Sequence, residues 1–218
     1  MIELVAFLGN PGDNYARNRH NAGRLLAEKL PFYSALSWQN KYKGLYAALD
    51  SVRLLPYLST ASTDATSCDA PPANLPPRLH FIMPETFMNL SGDSIHAAAS
   101  FFKIPPDRIL LVHDELELPL GTASFKFSGG LGGHNGLRSM KANLGTADFW
   151  RLRIGIGRPD PADQRSGDIA AWVLSDFARS EEAALEQVLA ICADALVCAL
   201  LRGAQTLLPE WNKKKLAG

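Results

Sequence analysis

Cysteine is scarce in this 218-residue chain, which holds only Cys68, Cys192 and Cys198. Three thiols make neither a disulfide framework nor a CxxC metal pair, so a reducing cytosol is the expected setting. Cys192 and Cys198 fall in an apolar helical stretch and read as packing thiols. No uninterrupted apolar run approaches the ~18 residues that span a bilayer, and no charged-then-apolar signal peptide opens the chain. A cytoplasmic protein with no membrane partner is therefore expected. Charge of one sign is missing as well, because 22 basic residues balance 22 acidic ones. Catalytic signatures are equally thin. There is no G-x-S-x-G elbow for a serine nucleophile, no Gly-Lys-Ser/Thr ending to a phosphate loop, and no helical H-E-x-x-H pair. A covalent serine hydrolase, a nucleotide-dependent enzyme and a zinc protease are thereby disfavoured. No cofactor and no metal are expected.

What is present is an alternation of apolar runs. Hydrophobic residues make up 47% of the chain, enough for one sizeable core, and one domain over residues 1–218 is expected at ~100–200 residues per domain. "IELVAFLG" reads as a buried strand ending in a Gly-Asn-Pro-Gly turn, and "HNAGRLLAEKL" as a helix closed by Pro31. "GLYAALD" and "VRLLPYL" read as paired strands. Residues 56–78 hold five prolines and no periodicity, and are expected to be a flexible insertion. "LHFIM" is a strand, followed by a helix in "LSGDSIHAAASFFK" with Asn89 or Ser91 as N-cap. "RILLVHDEL", "TASFKF" and "WRLRIGIG" are further strands, and "SGGLGGHNGLRSMKANLG" is a Gly-rich loop opening a helix. From Ser180 a long amphipathic helix ends at Gly203. The fold class is α/β: a mixed, largely parallel twisted sheet with helices on both faces.

The neutral total hides a strong asymmetry. Residues 121–158 carry Lys126, Arg138, Lys141, Arg151, Arg153 and Arg158 against Asp148 alone, while residues 159–194 carry eight acids against two bases. "KKK" at 213–215 adds to the positive side near the end. A basic face of this kind suits phosphate, whatever the net charge.

Parallel sheets form their ligand sites outside the carboxyl ends of the strands, and the polar candidates gather there. His20 titrates near neutral pH and can act as a general base. Asp114, at the end of the most apolar strand, can fix its tautomer and steady the imidazolium. Asn10, Asn89 and Asn135 stand at loop or cap positions, where an uncharged amide can place water or receive an oxyanion. His20, His113, Asp114, Glu115 and His134 contain metal-ligating atoms without metal-site spacing. Neighbours on a strand point to opposite faces, so His113 and Asp114 should not share one ion.

Taken together, "FLGNPG", Tyr15, "RHNAG", "PETFMNLSG", "VHDELELPLG", "GGLGGHNGLRS" and "FWRLRIGIGRP" resemble the bacterial-type peptidyl-tRNA hydrolase family in order and spacing. The resemblance covers about residues 3–55 and 79–159, and "WVLSDF" fits the family's tail. It implies a monomeric, metal-free esterase that cleaves the ester joining a peptide to the 3′-terminal adenosine of tRNA. It also implies roles residue by residue. His20 matches the base, Asp114 its orienting carboxylate, and Asn10, Asn89 and Asn135 the amides that hold peptide and water. Tyr15, Phe87 and Met88 match the substrate pocket, and His134 the neighbour of the third asparagine. Lys126 and Arg153 match the pair that clamps the tRNA 5′ phosphate. Two departures stand out: Leu131 replaces a residue that is often polar, and the 56–78 segment is longer than usual. The rival readings are a non-catalytic RNA-binding protein on the same scaffold and a metal-dependent hydrolase.

Overall fold

A computed structural model describes residues 1–58, 74–160 and 167–217. The strands are β1 (Leu4–Phe7), β2 (Gln39–Lys41), β3 (Gly44–Asp50), β4 (Arg78–Pro84), β5 (Ile109–Glu115), β6 (Thr122–Phe127), β7 (Trp150–Gly155) and β8 (Lys214–Lys215). They pair into one sheet in the order β2-β3-β4-β1-β5-β7-β6-β8. The middle four strands run parallel, and β2, β3, β6 and β8 join antiparallel at the margins. The fold class is thus the expected one, with a parallel centre and antiparallel edges.

The helices are α1 (Ala22–Glu28), α2 (Ser91–Phe102), α3 (Asn135–Leu144), α4 (Ile169–Val173) and α5 (Glu182–Arg202). Period-two alternation splits β1 and β5 between two cores. Val5, Phe7, Leu110 and Val112 pack toward α1 and α5, while Leu4, Ala6, Ile109 and Leu111 pack toward α2 and α3. Strands covered on both faces must be apolar throughout, and all four residues of β1 are buried. Helix α5 is long and apolar enough to cross a bilayer, with a mean hydropathy of 2.0 over its most apolar window, but 67% of that window is buried. It is apolar nearly all round because it is a core helix.

Several expectations need correction. "VRLLPYL" is no strand: Ser51–Leu58 forms a 3-10 helix with Pro56 inside it. Both edges of β3 are already taken by β2 and β4, and Pro56 has no N–H to offer a ladder. Neither Asn89 nor Ser91 caps α2. The chain enters that helix through a 3-10 turn, Met88–Leu90, with Leu90 at the cap position and no side-chain cap. Cys192 is the free, buried thiol expected, whereas Cys198 takes part in a disulfide. Most of the Pro-rich insertion, residues 59–73, lies outside the described residues, while Pro56 belongs to the 3-10 helix and Arg78 opens β4.

Candidate active site

The carboxyl ends of β1 and β5 lie side by side in parallel register, so the turn after Phe7 opens next to the polar end of "LVHDE". The "RHN" segment is a buried 3-10 turn, Arg19–Asn21, leading into α1. Its approach depends on Gly23. A Cβ there would lie 2.5 Å from the Val112 carbonyl oxygen and 2.6 Å from that of Leu8. Only glycine lets α1 rest directly on the two strand ends, and that contact brings His20 to Asp114.

His20 Nδ1 donates to Asp114, with Oδ1 at 2.9 Å and Oδ2 at 3.0 Å. A second imidazole meets the same carboxylate, His134 Nε2 at 3.0 Å from Oδ1. The tautomer of His134 follows from its other nitrogen. Nδ1 accepts from the backbone N–H of Gly136 at 3.1 Å and of Leu137 at 3.4 Å, as the N-cap of α3. Nε2 must then carry the proton and donate it. Asp114 is 2% exposed, and burial by itself would raise its pKa. The charges of His20 and His134 and both hydrogen bonds outweigh burial and hold the carboxyl well below its usual range. At His20 burial again acts first, opposing the imidazolium, but the charge and hydrogen bond of Asp114 prevail and the pKa is raised above 6.5. With Nδ1 committed to Asp114, neutral His20 keeps its lone pair on Nε2.

His20, Asp114 and His134 are also the one group among the described residues whose donor atoms could surround a metal. Their hydrogen bonds fit a different use, because both imidazoles turn N–H groups, not lone pairs, toward the carboxylate. His113 points to the other face of β5, as the strand alternation requires. Its Nδ1 donates to the Asp114 carbonyl at 2.6 Å, and burial, assisted by the neighbouring His134, pushes its pKa well down.

A cleft of about 660 Å³ opens over this group. Asn10, Tyr15, His20, Phe87, Met88, Asn89, Asp114, His134 and Asn135 all line it. The nine residues expected at the chemical site and substrate pocket thus meet in one place. Asn10 Oδ1 accepts from the Met88 N–H at 2.8 Å, which turns its Nδ2 donor toward the cleft. Asn89 and Asn135 are exposed, and no side-chain hydrogen bond occupies either amide among the described residues. Tyr15 and Phe87 stand edge to face with centroids 6.4 Å apart, forming an aromatic wall. Gly136 permits the last close approach, since a Cβ there would sit 2.7 Å from Met88 Sδ and 3.1 Å from His134 Cε1.

Lys126 and Arg153 do not line the cleft. They lie on the face of β6 and β7, and Arg153 is engaged, reaching Ser124 Oγ at 3.0 Å and Glu115 Oε2 at 3.4 Å. Glu115 does line the cleft, so this ion pair joins the two regions. Sequence reasoning missed several supports. Asn21 accepts from Asn10 N at 2.8 Å and donates to Asn10 O at 3.0 Å, clamping that turn. Arg151, counted only as a surface charge, is 1% exposed and donates to the carbonyls of Gly130 at 2.6 Å and Gly129 at 3.0 Å. It moulds the Gly-rich loop from beneath. Its place between Trp150 and Leu152 in an alternating strand was the available signal. The wall formed by Leu116, Ile169, Val173 and Leu174 left no sequence signal beyond being apolar.

A doubly held carboxylate, a histidine with one free nitrogen and three amides at the strand ends define an α/β protein built to handle a polar, carbonyl-bearing ligand. The comparisons make that class specific. A sequence model described as peptidyl-tRNA hydrolase matches residues 4–218. The chain is similar to a peptidyl-tRNA hydrolase of Treponema pallidum, 43% identical over 99% of this chain and 96% of the relative. It is 40% identical to one of Desulfitobacterium hafniense, over 86% of this chain and 87% of the relative. A crystal structure of the peptidyl-tRNA hydrolase of Acinetobacter baumannii superposes with a TM-score of 0.74 at 29% identity, covering 99% of this chain and 97% of that one. The chain belongs to the peptidyl-tRNA hydrolase family, a family of hydrolases.

Proposed function

We propose that this protein hydrolyses the ester between peptide and tRNA in peptidyl-tRNA, with His20 as general base, Asp114 as its orienter, and neither metal nor cofactor. The observation that carries the reading is the His20 Nδ1–Asp114 contact at 2.9 Å, which leaves Nε2 facing an amide-lined cleft. Water on Nε2 loses its proton as it attacks the ester carbonyl. Asn10 Nδ2, with Asn89 and Asn135 beside it, supplies neutral donors for the oxyanion and the peptide. Tyr15, Phe87 and Met88 form the walls that receive the peptidyl end. His134 acts through Asp114 and as the cap of α3. The proton gained by His20 returns to the leaving 3′ oxygen, so no group on the protein is consumed. Lys126 and Arg153 hold the 5′ phosphate, with phosphate replacing Glu115 as the partner of Arg153. The enzyme works as a cytoplasmic monomer.

The test is hydrolysis of an N-blocked aminoacyl-tRNA, with and without chelator, by wild type and by His20→Ala. Wild type should cleave it in both conditions, and His20→Ala should lose roughly 10²–10⁴ in turnover with little change in tRNA binding. Abolition by chelator would overturn the metal-free step. Tight tRNA binding without cleavage would reduce the protein to an RNA-binding scaffold.

A further inference from the structure

The three lysines near the end of the chain have no part in the reaction described above, yet their register gives them separate destinations. In β8, Lys214 pairs with Ala123 and Lys215 with Thr122, and residues directly opposite in a ladder share a face. Lys214 falls on the core side, where its ammonium lies 5.4 Å over the Trp211 ring. Lys215 falls on the side of Thr122, Ser124 and Lys126, which the β6–β7 register extends to Arg151 and Arg153. The apolar core under α2 and α3 draws on β1, β4 and β5 but on no residue of β6, β7 or β8. The outer half of this sheet face is therefore not covered by the helices. It carries Lys126, Arg153 and Lys215, with Arg151 buried beneath the Gly-rich loop, and no acidic residue stands on any of these three strands.

The strand is not a loose tail. Leu216 N and Ala217 N both donate to the Gly121 carbonyl, at 2.7 Å and 3.1 Å, and Phe125 N donates to Trp211 O at 3.1 Å. Lys215 is exposed, and among the described residues no carboxylate pairs with it or with Lys126. β6 is antiparallel to β7, so Thr122 and Lys215 lie at the cleft end of the sheet. Three strand spacings of ~4.8 Å separate β8 from the strand of Asp114. Lys126 lies a further ~13 Å down the sheet, four residues at ~3.3 Å each. Such separations address different phosphates of one polynucleotide.

We infer that β8 is part of the nucleic-acid interface, and that Lys215 contacts a backbone phosphate of the RNA whose 3′ end enters the cleft. The inference rests on the reading of tRNA as the partner. It adds a contact beyond Lys126 and Arg153, on the opposite side of β6 from Arg153. The contact is sequence-blind, as phosphate contacts are.

The experiment measures binding of deacylated tRNA across a salt series for wild type, Lys215→Gln, Lys215→Arg and Lys103→Gln. Lys103 is an exposed lysine at the end of α2 and controls for net charge. Lys215→Gln should flatten the slope of log K on log salt by about 0.9 and weaken binding roughly five- to tenfold at about 0.1 M salt. Lys215→Arg and Lys103→Gln should keep the wild-type slope. A slope in Lys215→Gln equal to that of wild type overturns the inference. A short N-blocked aminoacyl ester of the 3′-terminal nucleotides separates binding from folding, since Lys215→Gln should cleave it at the wild-type rate. Equal slowing on that fragment also overturns the inference. If wild type cleaves no ester while the slope still responds to Lys215, the catalytic reading fails and the RNA contact stands.

Discussion

Asp114 accepts from two imidazoles on one buried carboxylate, and the two do different work. His134 spends its Nδ1 lone pair on the first turn of α3, so protonating it would break a helix cap. His20 has no such tie on Nε2, and only it is free to take a proton. Its raised pKa fixes the sign of the pH dependence. In the mechanism proposed above the base works neutral, so kcat/KM should rise with pH through a midpoint above 6.5. In Asp114→Asn the countercharge is gone while the burial remains, so the midpoint should fall. Turnover should drop by roughly 10²–10⁴ as the ring loses its orienter. A pH–rate profile of the two proteins checks this, and an unmoved acid limb would show that Asp114 does not set the pKa. At this scale the sequence was informative wherever a residue type has few uses. The meeting of His20 and Asp114 was legible from a histidine at the mouth of a helix and a carboxylate at the end of the most apolar strand. The second imidazole on Asp114 could not, because it depends on how the Gly-rich loop folds back over β5. Asn21 was hidden for the opposite reason, since a clamp between two turns leaves no periodic trace.

Among the elements, the short segment that carries His20 is stitched to the entry of α5, some 160 residues later. Arg19, 2% exposed, stacks on Trp172 at 3.9 Å and donates to Glu181 at 2.7 and 3.1 Å. Its backbone N–H bonds to the Ser175 carbonyl at 3.0 Å. Breaking a buried ion pair from one side costs about 3–5 kcal/mol. Arg19→Gln should therefore lower the Tm by roughly 6–20 °C, at ~2–4 °C per kcal/mol for a chain of this size. Glu181→Gln should cost less, since that side chain is 24% exposed. Thermal melts of the two variants and their double mutant would measure the coupling. A large loss in Arg19→Gln with almost none in Glu181→Gln would mean that the stacking on Trp172, not the charge pair, fastens the segment. The central α/β alternation was legible because buried parallel strands are apolar throughout. β2 and β8 were not, being three and two residues long, and "VRLLPYL" misled because an apolar run of that length suits a strand or a helical turn equally.

At the scale of the whole molecule, a formal net charge of zero describes the protein badly as a partner for RNA. Acidic α4–α5 sequence packs behind one face of the sheet, and Lys126, Arg153 and Lys215 occupy the other. Charges farther apart than the Debye length, ~8 Å at physiological salt, scarcely feel one another's partners. Salt dependence should then follow position and not total. Glu182→Gln combined with Glu186→Gln raises the net charge by two on the outer surface of α5. It removes only the exposed pairs to Arg17 and Lys29, which are worth little to stability. That double variant should bind tRNA with the wild-type slope of log K on log salt. Lys126→Gln lowers the net charge by one and should flatten the slope by about 0.9 through the loss of one phosphate contact. Titrations at four or five salt concentrations decide the matter. If the slope tracked the net charge, steepening in the first variant about twice as much as it flattened in the second, RNA would be held by a diffuse field. A change confined to Lys126→Gln would mean that it is held by a strip of the sheet, laid down by strand register on the side facing away from α5.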